Sequence, residues 1–161
     1  MGTIEFLYDY PPVSLAKELT PEQRESRQKI LMFLNGDCSQ EIKNALIERI
    51  LNLVKLDSED EWAIGFIPAP DASNTIMRYG ELALELGKHT DYRVYLDLFE
   101  SINIQDDLSY TVNRERILGC NVILVDSVFT SGQRYHIFEK KIIEAGAKTV
   151  YGIIVAKAKN H

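Results

Sequence analysis

Three short runs constrain this chain more than anything else in it: residues 62–67 (WAIGFI), 122–125 (VILV) and 149–156 (TVYGIIVA). Each is apolar almost throughout. A strand with one wet face alternates apolar and polar residues, whereas a near-continuous apolar run marks a strand covered on both faces. Helical patterns fill the intervals, at 75–87 closing on Gly87 and at about 131–145 stopped by Gly146. Strand–helix–strand order with such strands predicts an α/β domain on a parallel sheet, with right-handed crossovers. Ligands of such sheets bind beyond the carboxyl ends of the strands. The loops after Ile67 and Val125 are therefore where chemistry is expected.

The flanking segments read less sharply. Residues 1–19 look irregular, because Pro11-Pro12 breaks any helix or central strand. Thr20-Pro21-Glu22-Gln23 has the form of a helix start, with a capping Thr, Pro in the first turn and Gln three residues on. Asn35-Gly36 ends that helix, and Ser39 is placed to cap a second one carrying Ile42, Leu46, Ile50, Leu53 and Val54 at helical spacing. These two helices are expected to form a hood over a site or a dimer face. Residues 93–99 read as a strand, and 100–118 as a long loop. Long loops in compact domains are usually functional or disordered.

Composition narrows the function classes. At 161 residues the chain holds one domain's worth of core, read here as a single unit with a helical section at 1–60 and an α/β core at 62–158. A net charge of −6 argues against a broad nucleic-acid surface, which needs clustered Lys and Arg. Neither a secretory leader nor a run of ~20 apolar residues is visible, so a cytoplasmic chain with no membrane span is expected. Cys38 and Cys120 allow one disulfide, but two lone thiols without a CxxC suit a reducing compartment better and give no zinc site. No GxxxxGK[ST] and no GxGxxG occurs. His89, His136 and His161 lack metal-ligand spacing; His136 is placed either near a ligand or on the surface. Asp106-Asp107 reads either as a metal contact or as a solvated pair.

The segment Val122–Arg134 delivers an acid at a strand tip and then a hydroxyl-rich turn into a helix N-terminus. Such an end presents unpaired N–H groups and a partial positive charge. Thr130 and Ser131 add hydroxyls, Gly132 lets the backbone approach a ligand, Gln133 opens the helix and Arg134 adds a cation. Together they form a phosphate cup. Asp126, and Ser127 beside it, can accept hydrogen bonds from sugar hydroxyls, so a phosphorylated sugar suits the pattern better than bare phosphate. The plainer alternative is that Asp126, Ser127 and Ser131 only cap the turn and the helix.

Read as VILV-DS-VF-TSG-Q-R, the segment resembles the phosphoribosyl-diphosphate (PRPP) signature of type I phosphoribosyltransferases: four apolar residues, two acids, two apolar residues and a Thr/Ser-Thr/Ser-Gly-x-Thr loop. Asp126 falls on the first acid, while Ser127 replaces the second and Arg134 replaces the closing Thr. In the ComF-like branch of that family a strand ending in Pro-x-Pro leads to the pyrophosphate loop, which here is similar to Ala69-Pro70-Asp71-Ala72-Ser73-Asn74. Arg78 falls on or near that branch's Arg, as a pyrophosphate partner; its alternative role is an ordinary surface Arg. Residues 100–118 match the family's closing loop in position, with Gln105, Leu108 and Arg114 loosely similar to its pattern. The cysteine-rich zinc ribbon that often precedes ComF-like domains is absent from this sequence.

The resemblance implies a type I phosphoribosyltransferase-like fold and binding of PRPP, or of a related phosphorylated sugar or nucleotide, together with Mg²⁺. Transfer of the phosphoribosyl group to an acceptor would release pyrophosphate, with Asp126 as the catalytic acid residue and no general base. A homodimer is a further expectation. Two other classes stay open: a non-catalytic sensor of the same ligands acting through a partner protein, and a generic α/β fold with an unrelated phosphate ligand.

Overall fold

The computed structural model describes residues 3–10, 19–55, 59–69, 72–89, 92–101 and 106–158, with backbone alone at 72 and 73. The described elements are β1 (Ile4–Tyr10), α1 (Pro21–Leu34), α2 (Gln40–Lys55), β2 (Trp62–Phe66), α3 (Ala72–His89), β3 (Arg93–Tyr95), β4 (Phe99–Glu100), β5 (Thr111–Val112), β6 (Asn121–Phe129), α4 (Gln133–Glu144) and β7 (Thr149–Ala158). Five strands form one sheet in the order β1-β7-β6-β2-β3, and every pairing in it is parallel. This is an α/β architecture compatible with a Rossmann-like fold. A two-stranded antiparallel sheet, β4 with β5, lies outside it.

The period-two geometry of strands divides the apolar runs between two cores. Ile64, Phe66, Ile123, Val125, Ile153 and Val155 face one side, where Phe33 of α1, Leu46 and Ile50 of α2, and Tyr79 and Leu82 of α3 cover them. Ala63, Val122, Leu124 and Ile154 face the other, against Tyr135, Phe138 and Ile142 of α4 and Phe99 and Tyr110 beside the small sheet. Each fully buried large side chain contributes about 1.5–3 kcal/mol, so this two-sided burial is what holds the sheet. The first two helices are thus one wall of the main core, packed on the sheet itself rather than raised above it as a hood.

Helix ends follow their local chemistry. Thr20 and Gln23 form a reciprocal capping box, with Gln23 N donating to Thr20 Oγ1 at 3.2 Å and Thr20 N to Gln23 Oε1 at 2.9 Å. Ile42 N donates to Ser39 Oγ at 3.3 Å, the cap expected for α2.

Three expectations are corrected. Residues 4–10 are not irregular: IEFLYDY pairs along β7 as the edge strand, from Ile4 against Gly152 to Tyr10 against Ala158. Residues 93–99 are not one strand, since β3 stops at Tyr95 and a turn separates it from β4. In the span 100–118 the described residues carry β5, two 3-10 turns (Asp107–Ser109 and Arg114–Arg116) and the end of β4, so this part is structured rather than a plain loop. Gln105 lies outside the described residues. Leu108 is exposed, and Arg114 opens the second 3-10 turn.

No described helix is long and apolar enough to cross a membrane. Cys38 and Cys120 are both buried and unpaired, so no disulfide joins them.

Candidate functional site

The strand order itself picks out a place. From β2 the chain passes through α3 to β3 on one side, whereas from β6 it passes through α4 to β7 on the other. Adjacent strands whose connections part in opposite directions leave a crevice at their carboxyl ends. The β2–β6 register sets Phe66 against Val125, and Ile67 N donates to Val125 O at 2.9 Å. Pro68 therefore leaves the sheet beside Asp126.

Asp126 and Ser127 are successive strand residues, so they point to opposite faces. Their strand extends further than the apolar run suggests: Val128 and Phe129 still pair with Ala156 and Lys157. The turn is confined to Thr130–Gly132, and α4 begins at Gln133 rather than at Ser131. On the α4 side, Asp126 lines a cavity of about 30 Å³ with Thr130, Gly132, Arg134 and Tyr135. Asp126 is 5% exposed, and one carboxylate oxygen accepts the Ser127 N–H at 2.7 Å. Burial pushes its pKa up to about 6, against the opposing pull of that N–H and of Arg134 and Arg78. Asp107 nearby raises it further.

Gly132 caps α4 with φ +83°, and a Cβ there would collide with the Phe129 ring. Two independent constraints thus demand glycine at this turn. Ser131 Oγ accepts from Gln133 N at 3.3 Å, but Ser131 precedes the cap: Gly132, not Ser131, is the N-cap of α4. Arg134 is placed at the cup but is engaged: its Nε donates to both carboxylate oxygens of Asp107, at 3.2 and 3.0 Å, and its guanidinium lies over the Phe138 ring. Asp106 caps its own 3-10 turn by accepting from Leu108 N at 3.0 Å. Among the described residues no group of three or more His, Cys, Asp and Glu is placed to hold a metal ion. His136 is exposed, contacts Glu139 one turn along the helix, and meets the rings of Phe129 and Tyr135 edge-on.

On the opposite face Arg78 is not a surface residue. It is 9% exposed, and it donates through Nη1 to Ser127 Oγ at 3.3 Å and through Nη2 to Leu34 O at 2.9 Å. The buried guanidinium thus ties β6 and the end of α1 to α3, and its Nε has no hydrogen-bond partner among the described residues. The Tyr79 hydroxyl lies beside it and near Ser127, and burial raises its pKa.

The pyrophosphate-loop expectation is partly corrected. Ala72, Ser73 and Asn74 are the first turn of α3, not loop, because the helix starts earlier than its apolar periodicity shows. Pro70 and Asp71 lie outside the described residues. Ala69 is buried at the crevice, and its N–H donates to Thr75 Oγ1 at 2.9 Å. Thr75, which sequence reasoning passed over, is the clamp between the end of β2 and α3. A hydroxyl residue in the first turn, six after the donor, was the available signal. Beyond Thr75 a wider cleft of about 380 Å³ opens, walled by Pro68, Ile76, Leu96, Phe99 and Tyr110.

No family model matches this chain, and no curated protein matches it either.

Proposed function

We propose that the chain binds PRPP or a related ribose 5-phosphate compound and transfers its phosphoribosyl group with release of pyrophosphate, on a type I phosphoribosyltransferase-like fold. The observation that carries this reading is the crevice between β2 and β6. There a nearly buried carboxylate, Asp126, shares a cavity with the Thr130–Arg134 turn and helix end, and the β2 loop leaves the sheet alongside.

In this reading Thr130, Ser131, Gly132, Gln133 and Arg134 take the 5-phosphate, through hydroxyls, first-turn N–H groups and the guanidinium. Asp126 holds the ribose hydroxyls. As the bond from the anomeric carbon to diphosphate breaks, positive charge grows on the sugar and the acceptor's lone pair forms the new bond. A carboxylate held in a poorly hydrated site stabilises that charge more than water does. The diphosphate leaves toward the segment from Ala69 to Asn74. Mg²⁺, if bound, would be held by phosphate oxygens of the substrate plus one or two carboxylates rather than by a protein cage, and would neutralise charge on the leaving diphosphate. The carboxylate available here is Asp126. The 380 Å³ cleft beside Pro68 has the size and apolar walls of a small-molecule site and is our candidate for the acceptor.

Specific observations favour a second reading, a sensor that binds without turnover. Ser127 stands where the family carries an acid, and its hydroxyl accepts from Arg78. Arg134 is paired with Asp107. The two readings separate on incubation with Mg²⁺-PRPP and a panel of purine and pyrimidine bases. Pyrophosphate release that Asp126→Ala abolishes supports transfer. A rise in melting temperature with PRPP, without release for any acceptor, supports the sensor. No thermal shift with PRPP, AMP, GMP or phosphate would overturn both.

A further inference from the structure

We propose that residues 106–110 are an inhibitory strap on the anion cup, in which Asp107 holds Arg134 in place of a ligand's phosphate. The inference rests on the reading of Thr130–Arg134 as a phosphate site.

The strap is built by a local cap, by contacts to α4 and by a hydroxyl contact between Ser109 and Ser101. Asp106 caps the 3-10 turn Asp107–Ser109, which fixes the backbone that carries Asp107. The Asp107 carboxylate then receives the Arg134 Nε–H on both oxygens, at 3.2 and 3.0 Å. Two turns along the same helix, Lys141 Nζ donates to Leu108 O at 3.0 Å and to Tyr110 O at 2.9 Å. Residues seven apart share a helix face, so two cations of α4 clasp one short segment.

The two ends of the strap differ in kind. Tyr110 is buried, its ring edge-on to Phe138, and Arg134 lies over that same Phe138 ring. The tip is polar and wet: Leu108 is 72% exposed and adds almost no apolar burial. Charge therefore holds the tip and apolar packing holds the base. A perturbation of charge at Arg134 loosens the tip at Asp107 and leaves the Lys141 bonds and the buried Tyr110 ring in place.

A phosphate supplies that perturbation. Arg134 and Asp126 line the same water-sized cavity of about 30 Å³, so a phosphate enters only as the walls rearrange. Phosphate and Asp107 are both anions, and each seeks the same guanidinium. Arg pairs with phosphate through a two-pronged geometry that a shared single N–H does not use. A ligand that favours the open strap must, by linkage, bind more tightly once the strap's hold is removed.

The test is isothermal titration of the full chain with inorganic phosphate and, separately, ribose 5-phosphate, together with amide hydrogen exchange across 106–110. Asp107→Asn is expected to tighten phosphate binding about two- to fivefold, the range that removal of one partly exposed ion pair produces. Adding phosphate to the wild type should speed exchange at 106–109 and leave Asn113, whose N–H donates to Leu98 O at 2.9 Å, protected. Arg134→Gln should weaken binding and erase the phosphate-dependent change in exchange. Unchanged or weaker binding by Asp107→Asn overturns the proposal, as does slower exchange at 106–109 on phosphate addition, which would mark a lid that closes. If the wild type and both variants bind neither ligand while Asp107→Asn alone speeds exchange of the strap, the phosphate site itself is refuted and the pair is only a tether.

Discussion

Replacing Asp126 by Asn should make the protein more stable at neutral pH, and more so as pH rises from 4 to about 7. The carboxyl is buried at the end of β6, and its folded pKa of about 6 lies above the ordinary value of 3.8. A group that holds its proton more tightly in the native state lowers stability as that proton is lost. Below about pH 4 both states are protonated and the shift has no effect. Between pH 4 and 6 the unfolded chain releases its proton first, and stability falls. Above 6 the loss is complete. A shift of about two units corresponds to about 3 kcal/mol. At roughly 2–4 °C per kcal/mol for a chain of this size, that is about 6–12 °C in melting temperature. Asn keeps the shape, and its amide oxygen still accepts the Ser127 N–H. The assay is urea denaturation of wild type and Asp126→Asn at half-unit steps from pH 4 to 8. The difference between the two should grow by about 3 kcal/mol over that range and then level off. A constant difference, or a variant that loses ground as pH rises, would refute the argument that burial dominates at Asp126.

Gly132→Ala should lose about 1–2 kcal/mol from its left-handed backbone alone, with a further loss from the collision with Phe129; urea denaturation checks the first part and phosphate titration the effect on the cup. Thr20→Ala should cost about 1 kcal/mol by removing the capping box of α1, visible as a lower urea midpoint with an unchanged slope. Burial pushes the Cys38 thiol up to about 11 and raises that of Cys120, so neither thiol should react readily with a disulfide reagent at pH 8 in the native state, whereas both should react in urea. Rapid labelling of the folded protein would show that the two cysteines are not packed.

Sequence pattern was most informative where the physics is local or nearly so. The capping box at Thr20 and Gln23 needs only residues three apart to close. The apolar runs at β2, β6 and β7 announce burial on both faces, because they offer almost nothing to face water. Pattern failed where a partner distant in sequence decides the outcome. IEFLYDY becomes a strand only because β7 offers it an edge about 150 residues away. Arg78 reads either as a pyrophosphate partner or as a surface residue, and no pattern shows that the end of α1 and the tip of β6 enclose its guanidinium. The first turn of α3 was hidden because Ala72, Ser73 and Asn74 carry no apolar stripe, and Thr75 supplies its link to Ala69.

The sequence by itself therefore determined the parallel α/β class, the two loops at the strand ends and the residue types of the cup, since burial on both sides and helix-end chemistry depend on neighbours along the chain. Tertiary structure alone decided which strands are adjacent, and hence that the loops after β2 and β6 open on one crevice. It also set the charge state of the site. Asp126 and Arg134 are an acid and a base in any listing of the chain, but burial raises the one, and a carboxylate from a separate segment, 27 residues away, holds the other. Electrostatics acts through space, and a linear pattern does not carry those distances.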